Sequence, residues 1–217
     1  MSLLARVRPA AGKPLGALVL LHGRGADEYD LAALGDGLDP MARLVFATPR
    51  APLTEGFGAH WYHLLQLGVP EPITFAASRA ALAKWLDAFL AEHGLDHAHT
   101  VLGGFSQGTV MSYAYAISPE APPVAGLLCF SGYVPSAPGY ETDLSRVRDL
   151  PVFISHGNRD GMIPLPWGQK ARDTMEAAGA AVTYREFRGE HQIDGEGLLQ
   201  ARIWLNQRVA TWKEAEA

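Results

Sequence analysis

"VLGGFSQGTVMSYAYA", residues 101–116, runs from an apolar stretch into a helical pattern across Gly104-Phe105-Ser106-Gln107-Gly108. Glycines stand two residues either side of a serine, where a strand gives way to a helix. A purely structural turn needs one glycine, sometimes two, and it does not need the serine. A G-x-S-x-G turn can hold its serine in a sharp, strained conformation. The small neighbours let the adjoining backbone close in, and the hydroxyl is pushed out at the strand's end. Ser106 is therefore a candidate nucleophile. A serine hydroxyl is a poor one at neutral pH, so the rest of the chain must supply a base and an acid to orient it.

Outward from this turn, short apolar runs recur at 16–21, 43–48, 100–105, 126–131, 151–156 and 182–187. Most lack alternation, as expected when both faces of a parallel sheet are covered. An edge strand is expected around Leu3 to Val7. Helical spacing fills 76–93, with Leu82, Trp85, Leu86, Phe89 and Leu90 before a stop at Gly94. It returns at 107–117, at 166–178 with a stop at Gly179, and at 196–212 with Leu199, Ile203 and Trp204 on one face. Alternating strands and helices predict one α/β domain over 1–217, with a mostly parallel sheet, helices on both faces and no separate cap domain. Ligands bind such sheets at the carboxyl ends of the strands, where Ser106 falls. Two long irregular segments, 49–75 and 132–150, stand out as functional or disordered. Trp61, Tyr62, Leu64 and Leu65 argue against disorder in the first.

The 217 residues are 48% hydrophobic and 19% charged, with a net charge of −5 and no basic block. That argues against nucleic acid or an anionic membrane as the main partner. The one cysteine, Cys129 in "GLLCFSG", excludes an intramolecular disulfide and reads as a buried strand residue. A reducing cytoplasm is its natural home. Arg6 and Arg8 before "LGALVLL" loosely imitate a signal peptide, but the apolar run is short and no cleavage site follows. No stretch is long enough to span or stably insert in a membrane. A homodimer is left open.

Eight histidines are candidate bases. His93, His97 and His99 precede the serine's strand at its amino end, and their spacing fits no standard zinc pattern, so no metal is expected. His60 and His63 lie on the aromatic loop, within reach of a substrate, and a surface role is expected of them first. His191, in "REFRGEHQIDGEG", sits just past the last strand at the carboxyl edge. Its neighbours Glu190 and Asp194 are too close in sequence to orient it. Asp160, in "ISHGNRDGMIP", follows the strand 151–156 on a short loop; alone it would read as a turn aspartate. The order Ser106, Asp160, His191 is the order of an α/β-hydrolase triad. An oxyanion site needs preorganised backbone N–H donors. Gln107 N–H, at the helix start, is one candidate. Arg24 N–H, in His22-Gly23-Arg24-Gly25 after the strand 16–21, is the other, and His22 reads as structural. Trp61, with Tyr62, Leu64 and Leu65, is expected to wall an open acyl groove beside Ser106; Met162 and Ile163 either line the same groove or pack in the core.

The motifs "HGRGAD", "GGFSQG", "SGYVP" and "HGNRDGMIP" and the late histidine, in this order, resemble the phospholipase/carboxylesterase family of α/β hydrolases, which includes the acyl-protein thioesterases. The resemblance covers nearly the whole chain. It implies an α/β-hydrolase fold and cofactor-free hydrolysis of a small-molecule acyl ester, with thioesters and lysophospholipids as further candidates. Thr109 and Glu190 stand where that family often has glycine, and Arg24 where it often has leucine. Two rivals differ in class. A dienelactone-type hydrolase would carry a cysteine nucleophile, and a peptidase a dedicated pocket or extra domain. A non-catalytic binding protein on this fold would show decay at a triad position, and none is decayed.

Overall fold

The computed structural model of the chain describes residues 3–54 and 56–215. Nine strands and five α-helices are described: β1 (Ala5–Arg8), β2 (Ala17–Leu21), α1 (Leu34–Leu38), β3 (Val45–Pro49), β4 (Leu64–Gln66), β5 (Val69–Pro70), α2 (Pro72–Glu92), β6 (Thr100–Phe105), α3 (Gln107–Ala116), β7 (Gly126–Phe130), β8 (Pro151–Gly157), α4 (Leu165–Ala177), β9 (Ala181–Phe187) and α5 (Gly195–Ala215). Seven strands form one sheet in the order β1-β3-β2-β6-β7-β8-β9. Only β1 runs antiparallel, against β3; every other pairing is parallel.

The unalternating apolar runs have a simple cause. Successive strand residues point to opposite faces, and here both faces are covered. Val19, Leu21, Leu102, Leu127, Cys129 and Ile154 face a core shared with α2, α3 and α4. Leu18, Leu20, Val101, Leu128, Phe130 and Phe153 face another, closed by Trp204, Leu205 and Val209 of α5. Burial pushes the Cys129 thiol up to about 12, so it is an inert core side chain. Every residue of α3 is buried.

The differences from expectation are local. α2 starts at Pro72 rather than 76, because Glu71 caps it, accepting from Ile73 N and Thr74 N, with Pro72 in the first turn. The segment 49–75 holds the small hairpin β4–β5. On α5 the buried face is Ala201, Trp204, Leu205 and Val209, while Leu199 and Ile203 are exposed. Among the described residues, no helix is long and apolar enough to cross a membrane.

Candidate active site

The turn after β6 is strained where the sequence expects it. Ser106 has φ 55° and ψ −117°, a conformation that costs a side-chain-bearing residue about 1–3 kcal/mol. Its flanking glycines have one steric cause. A Cβ at Gly104 or at Gly108 would strike the carbonyl of Leu21, where β2 ends beneath the turn. Ser106 N donates to Phe130 O at 3.0 Å, and the residue is partly exposed. Thr109 locks the first turn of α3 to the sheet. Its hydroxyl accepts from Phe130 N (3.1 Å), and its single proton has Gly104 O (2.5 Å) and Phe130 O (2.8 Å) in reach.

At the neighbouring strand ends, Asp160 and His191 are joined. His191 Nδ1 donates to Asp160 Oδ2 at 2.7 Å. Asp160 Oδ1 accepts from Met162 N (2.9 Å) and Ile163 N (2.8 Å), so a buried carboxylate receives three donors. Its donation through Nδ1 leaves Nε2 as the basic nitrogen of His191. The His191 ring lies against Phe105, with centroids 4.7 Å apart, next to Ser106 in the chain. Among the described residues, no hydrogen bond joins Ser106 Oγ to His191. Such bonds are often long before substrate binds and tighten in the complex. Asp194 is committed elsewhere. It takes the Arg185 guanidinium on both oxygens (2.5 and 3.1 Å) and accepts from Gly197 N at the start of α5. Glu190 is exposed.

The loop after β2 reaches the same place. A Cβ on Gly23 would lie 3.4 Å from Ser106 Cβ, so Gly23 adjoins the serine and Arg24 is the residue that follows it in the loop. His22 braces this loop. Its Nε2 accepts from Ala51 N (3.0 Å), which leaves the proton on Nδ1, donated to Gly23 O (2.7 Å). Trp61 Nε1 donates to His22 O (3.0 Å), and Gly25 N donates to Ala59 O (2.8 Å). Gln107 heads α3, so its N–H has no intrahelical acceptor and lies at the positive end of the helix dipole. Its side chain is spent on structure: Oε1 accepts from Trp61 N (2.8 Å), and Nε2 donates to Tyr62 O (2.7 Å).

The expected groove wall needs correcting. Trp61 is 0% exposed, because its indole is clamped beneath the 22–25 loop; it supports that loop and walls nothing. Tyr62 and Ile163 are also buried. The side chains that do reach solvent are Leu64 and Leu65 on the hairpin and Met162, which is 71% exposed. Sequence reasoning missed the clamp by the Gln107 side chain, the Arg185–Asp194 pair and the buried His156. The first joins residues 46 apart in the chain, and the second crosses the loop from β9 to α5 at no regular spacing, but "ISHGNRD" places His156 four residues before Asp160. Among the described residues, no three His, Cys, Asp or Glu side chains gather to hold a metal. His97 pairs with Asp87 and His99 with Asp96 instead.

Burial holds His22 and His156 below the usual histidine value. In the unfolded chain each would take a proton near the ordinary histidine value of about 6.5. Below that pH the unfolded state binds more protons, and stability is lost. Urea-denaturation midpoints should therefore be level above about pH 7 and fall as pH drops through about 6.5 toward 5. A level midpoint down to pH 5 would contradict this.

A mostly parallel sheet with a strained serine after a central strand, and a bonded Asp–His pair at the ends of two others, defines the α/β-hydrolase class. Within that class, the phospholipase/carboxylesterase model matches residues 4–208, and the chain belongs to that family. It is 25% identical over 209 residues to acyl-protein thioesterase 1 of Emericella nidulans, covering 87% of each chain. In fold it is similar to the carboxylesterase of Bacillus cereus, with a TM-score of 0.84 at 21% identity over 95% of this chain and 94% of that one. A carboxylesterase from Mesorhizobium loti matches with a TM-score of 0.80 at 22% identity, covering 93% of each.

Proposed function

We propose that the chain is a serine carboxylesterase that hydrolyses short to medium acyl esters through an acyl-enzyme intermediate. The observation that carries this reading is the 2.7 Å bond from His191 to Asp160, set beside the strained Ser106. In the proposed sequence, Ser106 Oγ attacks the ester carbonyl carbon while His191 Nε2 takes the hydroxyl proton. Arg24 N–H and Gln107 N–H hold the oxyanion. The tetrahedral centre collapses and the alcohol leaves with the proton from His191. Water then adds by the same route, giving the acid and the free serine. Asp160 keeps His191 in the reactive tautomer and stabilises its charged form. The chemistry needs no cofactor.

A second reading, thioester hydrolysis, is favoured by the likeness to an acyl-protein thioesterase. The attack is the same and only the leaving atom differs.

The test is a panel of nitrophenyl esters from acetate to palmitate, with an acyl-CoA and lysophosphatidylcholine beside it. Segment 49–75 carries a hairpin and the start of α2 instead of an amphipathic lid helix. Rates on dissolved esters should follow simple saturation, with binding improving by roughly 0.8 kcal/mol or less per added methylene. Leu65→Ser should weaken longer esters more than acetate. A jump in rate at the onset of micelles would contradict an open site. Hydrolysis of the acyl-CoA alone would select the second reading.

A further inference from the structure

His156 is a fully buried imidazole that the proposed reaction does not use. It lies near the end of β8, four residues before Asp160. Its Nε2 is 2.7 Å from Ile163 O. A carbonyl only accepts, so Nε2 carries the proton and Nδ1 is the bare acceptor. Nδ1 is buried and has no hydrogen-bond partner among the described residues. Behind it stands Gly168 of α4, where a Cβ would collide with the ring.

A buried acceptor without a donor is destabilising, and an apolar side chain of similar size would avoid that cost. Packing alone therefore gives no reason for an imidazole here. The other nitrogen does. Nε2–H ties the far end of the acid's loop, at Ile163, back to the strand from which the loop departs. The same Nε2 lies 3.5 Å from Asp160 Oδ2, the oxygen that receives His191. That is too long for a good hydrogen bond, but it sets the positive end of an N–H dipole beside the carboxylate. Ile163 is also one of the two residues whose N–H groups hold Asp160 Oδ1. Fastening Ile163 thus fixes which oxygen of Asp160 faces His191.

We infer that His156 is a positioning residue, which acts through the 158–164 loop to hold Asp160 Oδ2 toward His191. The inference rests on the proposed serine mechanism. Besides Asp160 and His191, the titratable group that bears on His156 is Glu186, on β9.

Two amide variants separate this role from packing. In His156→Gln the amide nitrogen takes nearly the place of Nε2 and can reach Ile163 O. In His156→Asn the same amide is one methylene short. The Gln variant should keep kcat within a few-fold of the parent. The Asn variant should lose about 10²-fold in kcat with KM little changed, as a misplaced group does. The acid limb of its pH–rate profile should move to lower pH, because a poorly faced carboxylate stabilises the His191 imidazolium less. Equal kcat and equal pH profiles in the two folded variants would overturn the inference. So would a loss confined to KM or to folding stability. The parent is labelled with a fluorophosphonate alongside. A parent labelled at Ser106 with indistinguishable variants defeats only the role of His156, whereas a parent not labelled at Ser106 defeats the serine mechanism beneath it.

Discussion

Ser106→Ala should fold normally and hydrolyse esters roughly 10⁴-fold or more slowly than the parent. The hydroxyl is not used for structure: Ser106 contributes its backbone N–H to Phe130 O and its carbonyl to Val110 N, and both survive the change. Alanine meets the same positive φ as serine, so the strain of the turn is carried over and stability changes little. Its loss removes the atom that forms the acyl-enzyme bond. Steady-state turnover of a soluble nitrophenyl ester, read beside a thermal melt, checks this. A variant that melts like the parent and keeps more than a tenth of its turnover would show that another group is the nucleophile.

Asp160→Asn should lower kcat by about 10²–10⁴-fold with little change in KM. The direction follows from the hydrogen bonds. Met162 N and Ile163 N both donate to Oδ1, so the amide oxygen must take that side. The amide NH₂ is then forced to face His191 Nδ1. Two donors cannot share a hydrogen bond, so the imidazole moves its proton to Nε2, the nitrogen that should act as base. Asp194→Asn should behave differently. The bidentate contact with Arg185 is weakened and stability falls, but His191 keeps its partner. A larger loss of kcat from Asp194→Asn than from Asp160→Asn would move the orienting acid to Asp194.

The parts of this molecule legible in its sequence are those written by local sterics and by periodicity. Gly104 and Gly108 mark the turn because backbone must pass where a Cβ would be. The even burial of β2, β3 and β7 appears as apolar runs without alternation. Asp160 and His191 could be paired because chain order and strand ends limit where an acid and a base can meet. Side-chain roles that depend on distant backbone were not legible. Trp61 looks like a groove residue in a loop full of aromatics. It is buried because His22 O, Gln107 Oε1 and the Ser78 hydroxyl, from three separate elements, each bond to it. The early start of α2 was legible in principle, since Glu71-Pro72 is an ordinary helix entry. On α5, Leu199 and Ile203 look as apolar as the residues beneath them, and only the docked position of the helix turns Trp204 and Leu205 inward.

The most direct test of the serine mechanism is covalent. The intact protein is incubated with a fluorophosphonate, and the site of attachment is mapped by peptide mass spectrometry. The expected result is one phosphonate per chain, attached at Ser106 and absent from Ser106→Ala. Ester hydrolysis by a chain that takes no label at Ser106, or that takes it at another residue, would contradict Ser106 as the nucleophile.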